Sequence, residues 1–302
     1  MLFFYNIFGL SIASEIELPE ASPLPATENP QVTVELGSVN AASFRNNNDK
    51  AWRHYSIEPM HTIFGCSAGI FDIRDGSRIC IDPVPGAEHS KLRMFLLGSA
   101  MGAIQVQRGR IPIHGGAILS GNQGIIISGS PGAGKSTMTS ALVHRGFKYL
   151  SDDVSSIATE NGKPMIIPAY PQLKLIRDAC ISLGYDPNTL HMVDRERDKF
   201  ACRNRRDWYG KPVCAGMLVR LISVKAGEPM HAQPVTGRYK LAAVAGSLYR
   251  HWMHLREGRL PPEEFKKILS IASAVKIFDV RIPRGDIMEN ACNLTKILEI
   301  SP

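Results

Sequence analysis

Over roughly the first 85 residues, apolar and polar positions alternate in short runs. IEL, VTVEL, WRHYSI, HTIFG, AGIFDIR and RICIDP are separated by Pro, Gly and Asn. A period of two puts alternate side chains on one face of a strand, so VTVEL and GIFDIR predict strands with one buried face. The separator PEASPLPATENP predicts a loop, because proline removes a backbone donor and restricts the residue before it. The apolar opening FFYNIFGLSIAS predicts one buried first strand. No basic leader precedes it, and it is too short to span a bilayer. Together these runs predict a small, mostly β domain over residues 1–87.

The period changes at Glu88. In EHSKLRMFLLGSAMGAIQVQ, Leu92, Phe95, Leu96, Met101 and Ile104 recur at helical spacing, and Gly98 and Gly102 permit close packing. This predicts a helix at the entrance to a second domain, residues 88–302. RIPIHGGAILS, the turn GNQG and IIISGS predict a hairpin of two core strands. A helix from about Lys135 to His144 follows, then FKYLSDDV as a strand ending in acids. SSIATENGKPMIIPA predicts a hairpin around Asn161 and Gly162. The polar section 184–210 predicts loops, and MLVRLISV predicts a strand. KLAAVAGSLYRHWM and EEFKKILSIASAVKIF predict helices. IFDVRIPRG predicts a strand that turns at Pro283, before a short terminal helix.

Candidate chemistry gathers at the junction of one strand and helix. Gly129, Ser130, Pro131, Gly132, Ala133, Gly134, Lys135 and Ser136 form a gapless phosphate-loop pattern, with Thr137 next in the helix. It follows an apolar strand and opens a helix, the context the motif requires. Glycines let backbone N–H groups converge on phosphate oxygens, and the helix N-terminus adds favourable partial charge. Lys135 would reach the terminal phosphates and Ser136 would offer an oxygen to Mg²⁺. Asp152 and Asp153 lie 17 and 18 residues beyond Lys135. A strand parallel to the loop's own strand would carry them to the phosphates, one to hold hydrated Mg²⁺ and the other to face an incoming hydroxyl. Spacing leaves open which acid does which. His114, one hairpin away, is a candidate neighbour of an aspartate.

Composition narrows the picture only slightly. With 44% hydrophobic and 21% charged residues, the 302-residue chain reads as an ordinary globular protein, and its net charge is +7. RERDKFACRNRR, Arg195 to Arg206, is the densest basic stretch. It predicts a solvated face or an acidic-partner patch, and without a recognised nucleic-acid module it does not point to nucleic acid. The six cysteines form no Cys-x-x-Cys pair, which fits reduced thiols in a cytoplasmic protein. No stretch predicts a membrane span.

The set RGRIPIHGGAILS…GIIISGSPGAGKSTMTSALVHRGFKYLSDDV resembles the catalytic domain of HPr kinase/phosphorylase. His114-Gly115, the loop Gly129 to Ser136, Arg145-Gly146 and Asp152-Asp153 carry the likeness. NIFGLSIASEIELPE and PAYPQLKLIRDA look like the HPr-kinase-like proteins of lasso-peptide biosynthesis clusters. The resemblance implies an α/β fold: a phosphoenolpyruvate-carboxykinase-like P-loop kinase domain preceded by the small β domain. It implies an ATP- and Mg²⁺-dependent serine kinase acting on a peptide or small protein, with the C-terminal serine of a lasso-peptide precursor favoured over HPr. A free-serine kinase and a nucleotide-sensing module are the alternatives. By the same resemblance Asp152 is the catalytic base supported by His114, and Ser136 and Asp153 form the Mg²⁺ environment. Lys135 binds the β- and γ-phosphates, and Lys174 and Arg177 contact phosphate or a peptide carboxylate. The family's oligomers also make a homo-oligomer an expectation.

Overall fold

The computed structural model describes residues 1–40, 55–195 and 197–302, and forms two compact units. Trp52 to His54 of the WRHYSI run, and Glu196 of the basic stretch, lie outside the described residues. The first unit comprises Met1–Arg110 and Arg250–Glu264, the second Ile111–Tyr249 and Phe265–Pro302.

In the first unit, alternating burial produces a mixed sheet. Its strands are β1 (Phe3–Ile7), β2 (Leu10–Ser14), β3 (Ser22–Pro23), β4 (Val32–Leu36), β5 (Tyr55–Glu58), β6 (His61–Cys66), β7 (Gly69–Arg74) and β8 (Arg78–Pro83). They lie in the order β3-β1-β2-β4-β8-β7-β6-β5. Val32 and Val34 are buried while Thr33 and Glu35 are not, as the alternation in VTVEL predicts. The apolar opening is two strands rather than one. Phe8 and Gly9, at φ 53° and 68°, turn the chain so that β1 and β2 pair antiparallel. IEL forms no strand. Its Ile16 and Leu18 are buried from a bend instead. Helices α1 (His89–Phe95) and α2 (Met101–Gln107), joined by a π-helical turn at Leu96–Ala100, belong to this unit. The compact division therefore falls after Arg110, not at residue 87. The buried Leu92, Leu96 and Ile104 are the apolar stripe that draws the helical stretch onto its own unit.

The second unit holds β9 (Ile111–Ser120), β10 (Gln123–Gly129), α3 (Lys135–His144), β11 (Lys148–Ser151), β12 (Val154–Glu160), β13 (Lys163–Ile167) and β14 (Gln172–Ile176). Then follow α4 (Arg177–Ser182), β15 (His191–Asp194), β16 (Lys199–Arg203), β17 (Val213–Val224), β18 (His231–Pro234) and α5 (Tyr239–Gly246). It ends with α6 (Pro262–Ala274), whose first residues belong to the other unit, β19 (Lys276–Pro283) and α7 (Ile287–Ile297). The architecture is mixed α/β with a β-rich core. The main sheet runs β10-β9-β12-β13-β17-β19-β18, and β10 also pairs in parallel with β17, so five strands close a circuit. The predicted hairpins form at Gly121 and at Asn161-Gly162. The section 184–210 is not all loop. β15 and β16 join β14 in a separate three-stranded sheet, because Phe200 and Cys202 enter the core while Lys199 and Arg203 bound the buried run. The helix predicted in KLAAVAGSLYRHWM ends at Gly246, and that in EEFKKILSIASAVKIF ends at Ala274, where β19 begins.

One core fixes the loop-bearing helix. Met138, Ala141 and Leu142 of α3 share a buried cluster with Ile118, Ile125 and Ile127 of β9 and β10. Leu173 and Leu175 of β14, and Ala291 and Leu294 of α7, join the same cluster. Fully burying a leucine contributes about 1.5–3 kcal/mol, so this packing anchors the elements on either side of the loop. Among the described residues no helix is long and apolar enough to cross a membrane.

Candidate active site

The loop leaves β10 where its buried isoleucines end. Gly134 occupies the N-cap position of α3 at φ 87°, a left-handed conformation that side chains disfavour and glycine adopts freely. No side chain caps α3, so its first N–H groups remain directed at the loop. Ser130, Gly132 and Gly134 are exposed, while Ala133, Ser136 and Thr137 are half-buried. This strand–loop–helix turn is the geometry the phosphate-loop motif needs. Lys135 is buried and arches back across the loop. Its Nζ donates to Gly129 O at 3.0 Å and to Ser130 O at 3.1 Å. Burial pulls its pKa below the usual lysine range, with Asp153 acting in the opposite direction.

A two-step pairing carries the acids towards the loop. β11 is antiparallel to β9, and β9 is antiparallel to β10. β11 therefore runs in the direction of β10 and ends, at Ser151, on the loop's side. The double glycine after His114 lets α3 and the acid turn approach β9. A Cβ on Gly116 would sit 2.4 Å from Thr139 Oγ1 and 3.0 Å from Asp152 O. Gly115 N–H donates to Asp153 O at 3.0 Å.

The two carboxylates occupy different environments. Asp152 is buried, and its Oδ2 accepts the backbone N–H of Lys174 at 3.0 Å, while Oδ1 is buried with no hydrogen-bond partner. Burial pushes its pKa up to about 6, against Lys174, Lys199 and the nearby Ser136 hydroxyl, which all lower it. The side chain of Asp153 is 35% exposed. Burial raises its pKa, but Lys174, His114, Lys199 and Lys135 outweigh that and hold it below the usual carboxylate range. The Lys174 ammonium lies 4.0 Å from Asp153 Oδ2. Burial works against that charge, yet Tyr170, Asp153 and Asp152 hold its pKa above the ordinary lysine value.

His114 stacks on Tyr249, with ring centroids 5.7 Å apart and planes at 16°. Its backbone is pinned on both sides: its N–H donates to Ser247 O, and its carbonyl accepts the Ser128 hydroxyl, both at 2.8 Å. His114 is among the groups that hold the Asp153 carboxyl low, and the Ser136 hydroxyl is among those that lower Asp152.

Of the two candidate substrate cations, only Lys174 joins the acids. The Arg177 side chain, 41% exposed, forks onto Asp198 at 2.7 and 3.1 Å and lies over the Phe200 ring, the arrangement of a surface ion pair. Sequence reasoning missed Lys199, which acts on Lys135 and on both acids. Its strand partner is Ile176, two residues past Lys174, so the pairing of β14 with β16 puts both lysines on one face. The polar setting of Lys199 hid that β-periodicity. Also missed were Tyr170, pushed up to about 12 chiefly by burial, and Arg220. Arg220 lines a cleft of about 490 Å³ together with His114, Gly129, Pro131, Ile222 and Ser247.

No family model matches this chain, and no curated protein matches it. Among solved structures, the Hpr(Ser) kinase/phosphatase from Coxiella burnetii is similar over 62% of this chain and 93% of its own length, at 12% identity and a TM-score of 0.32. That is a distant and partial structural likeness.

Proposed function

We propose that this chain is a phosphotransferase that moves the terminal phosphoryl group of ATP to a hydroxyl on a peptide or small protein. The observation that carries the reading is the convergence of an uncapped, glycine-shaped loop and its Lys135 with two acids of unequal environment. The residues suit a magnesium nucleotide. Mg²⁺ needs few protein oxygens beyond phosphate and water. The Ser136 hydroxyl and the unpartnered, buried Oδ1 of Asp152 are such oxygens. When bound, the ion would neutralise phosphate charge. Lys135 supplies a second positive charge at the loop.

Exposure divides the acids. Asp153 is the one an acceptor can touch, and His114 and Lys174 keep it ionised. In this reading Asp152 and Ser136 stand on the metal side, and Asp153 accepts the hydroxyl proton. The acceptor oxygen bonds to phosphorus, the bond from phosphorus to the bridging oxygen breaks, and the proton passes to Asp153 as ADP leaves. This reverses the division of labour between the two acids that the resemblance implies. The acceptor it implies, the C-terminal serine of a lasso-type precursor, is kept as the leading substrate, with HPr and free serine behind it.

Intact-mass analysis of these acceptors after incubation with protein, ATP and Mg²⁺ tests the reading. The expected result is a gain of one phosphoryl group on the peptide, lost in Asp153→Asn. Steady ADP release with no modified acceptor would make the site a hydrolase instead. Bound ATP without turnover would make it a sensor.

A further inference from the structure

Lys135, Lys174 and Lys199 stand around Asp152 and Asp153. The first two lysines are committed. Lys135 Nζ donates to the carbonyls of Gly129 and Ser130, and the Lys174 ammonium lies 4.0 Å from Asp153 Oδ2. Lys199 differs. The residue is half-buried, and among the described residues its ammonium has no hydrogen-bond or ion-pair partner. Asp194, its neighbour on β15, instead accepts the backbone N–H of Arg197 at 3.2 Å and has the Arg197 guanidinium at 3.9 Å.

The backbone fixes where this lysine points. Lys199 opens β16 directly opposite Ile176 of β14, and Lys174 is directly opposite Ala201. Opposed residues share a face of the sheet. Phe200 and Cys202, with Leu173 and Leu175 of β14, take the other face and enter the core. Lys199 is therefore held on the face from which Lys174 serves the acids, one diagonal step away, about 7–8 Å between α-carbons. β14 is itself tied to the acid turn, because the Lys174 N–H donates to Asp152 Oδ2 at 3.0 Å.

The charge of Lys199 opposes that of Lys135. An anion placed near both relieves the repulsion, and the loop beside Lys135 is shaped for phosphate. We propose that Lys199 contacts the terminal phosphate of ATP, the group being transferred, and neutralises charge on its outer oxygens as it moves. The proposal rests on the phosphotransferase reading and adds a catalytic residue to it. Lys135 belongs to the loop and serves the phosphates that ADP keeps as well. Lys199 comes from the sheet that holds the lysine of Asp153, so its contact is with the phosphate that ADP lacks. It neither gives nor takes a proton. A lysine suits this task, being a compact charge on a flexible stem.

Calorimetric titration with Mg²⁺–ADP and with Mg²⁺–AMP-PNP, the ATP analogue with nitrogen in place of the β–γ bridging oxygen, tests it without turnover. Lys199→Met is expected to lose roughly tenfold or more in affinity for AMP-PNP, the scale of a charge-assisted contact. Its affinity for ADP should be unchanged, which also reports correct folding. Lys199→Arg keeps the charge and should keep most of the AMP-PNP affinity. A parallel loss for both nucleotides in Lys199→Met overturns the proposal and assigns the ammonium to the inner phosphates or to the fold. No loss for either also overturns it, and a raised KM for the acceptor in that case would place the ammonium on the acceptor. Phosphoryl transfer, read separately by mass, distinguishes this failure from that of the underlying reading. Equal transfer by wild type and Lys199→Met removes only the role of Lys199. A selective loss of AMP-PNP affinity, with no transfer by wild type, removes only the reaction.

Discussion

Lys174 donates its backbone N–H to Asp152 Oδ2 at 3.0 Å, and its own ammonium lies 4.0 Å from Asp153 Oδ2. One residue thus serves both acids, by two different groups. The backbone contact survives any substitution that keeps the strand, while the ammonium does not. Lys174→Met should leave two acids short of their internal cation, and breaking a buried pair costs about 3–5 kcal/mol. The loss should be larger at pH 8, where both acids are ionised, than at pH 5, where Asp152 takes up a proton and Asp153 alone stays charged. Chemical denaturation of wild type and variant at both pH values measures this. An equal loss at both would show that the ammonium serves Asp153 or the packing and not Asp152.

Asp152 itself should destabilise the metal-free protein at neutral pH. Burial raises its folded pKa from the ordinary 3.8 to about 6. The folded state therefore holds the proton more tightly than the unfolded chain. The favourable contribution is complete below about pH 4 and is lost as pH rises through 6. Asp152→Asn keeps the acceptor for the Lys174 N–H and removes the charge. In EDTA its unfolding free energy should exceed that of wild type at pH 8 by on the order of 1–3 kcal/mol. The difference should shrink towards pH 4. A variant less stable than wild type at pH 8 would mean that the charge is better solvated than its burial implies.

Much of this site was legible in the chain because its signals are local. The loop from Gly129 to Ser136 needs only eight adjacent residues, and α3 lies where the pattern places it, Lys135–His144. Asp152, Asp153 and His114 were readable as neighbours because two short hairpin steps connect them. The partners of those residues were not readable. That Lys199 faces Lys174 depends on β14 pairing with β16, a register set by Phe200 and Cys202 entering a core built elsewhere. Arg220 meets Asp279 across 59 residues, through a parallel pairing that no local periodicity encodes. The first strand was misjudged for a similar reason: Phe8 takes a left-handed conformation that its residue type does not advertise.

Gly116 tests the close approach that brings the acid turn to the loop. An added Cβ would meet Thr139 Oγ1 at 2.4 Å and Thr139 Cγ2 at 3.0 Å. Overpacking of this kind costs about 1–3 kcal/mol, so Gly116→Ala should lower stability by that amount. Thr139→Ala removes both clashing atoms, and its hydroxyl is buried with no hydrogen-bond partner. The double variant should therefore recover most of the loss, short of a residue due to Asp152 O at 3.0 Å. Denaturation of the two single variants and the double gives the coupling directly. Additive losses would show that the helix can shift away from β9 without help.

The unequal environments of the two acids predict that their variants fail in different ways. Asp152 sits with Ser136 on the buried side, whereas Asp153 sits with His114 where solvent reaches it. Asp152→Asn should weaken the Mg²⁺ dependence of nucleotide affinity, because it removes a charged oxygen from the metal side. Asp153→Asn should bind Mg²⁺–nucleotide nearly as well as wild type and fall by about 10²–10⁴-fold in transfer, the range for loss of a general base. Titrating nucleotide affinity against Mg²⁺ for each variant, beside single-turnover transfer, separates the two. If Asp152→Asn instead keeps its Mg²⁺ dependence and alone loses transfer, the buried acid is the base. The acceptor would then have to reach it through a rearrangement of the loop, beginning with release of Lys135 from the carbonyls of Gly129 and Ser130.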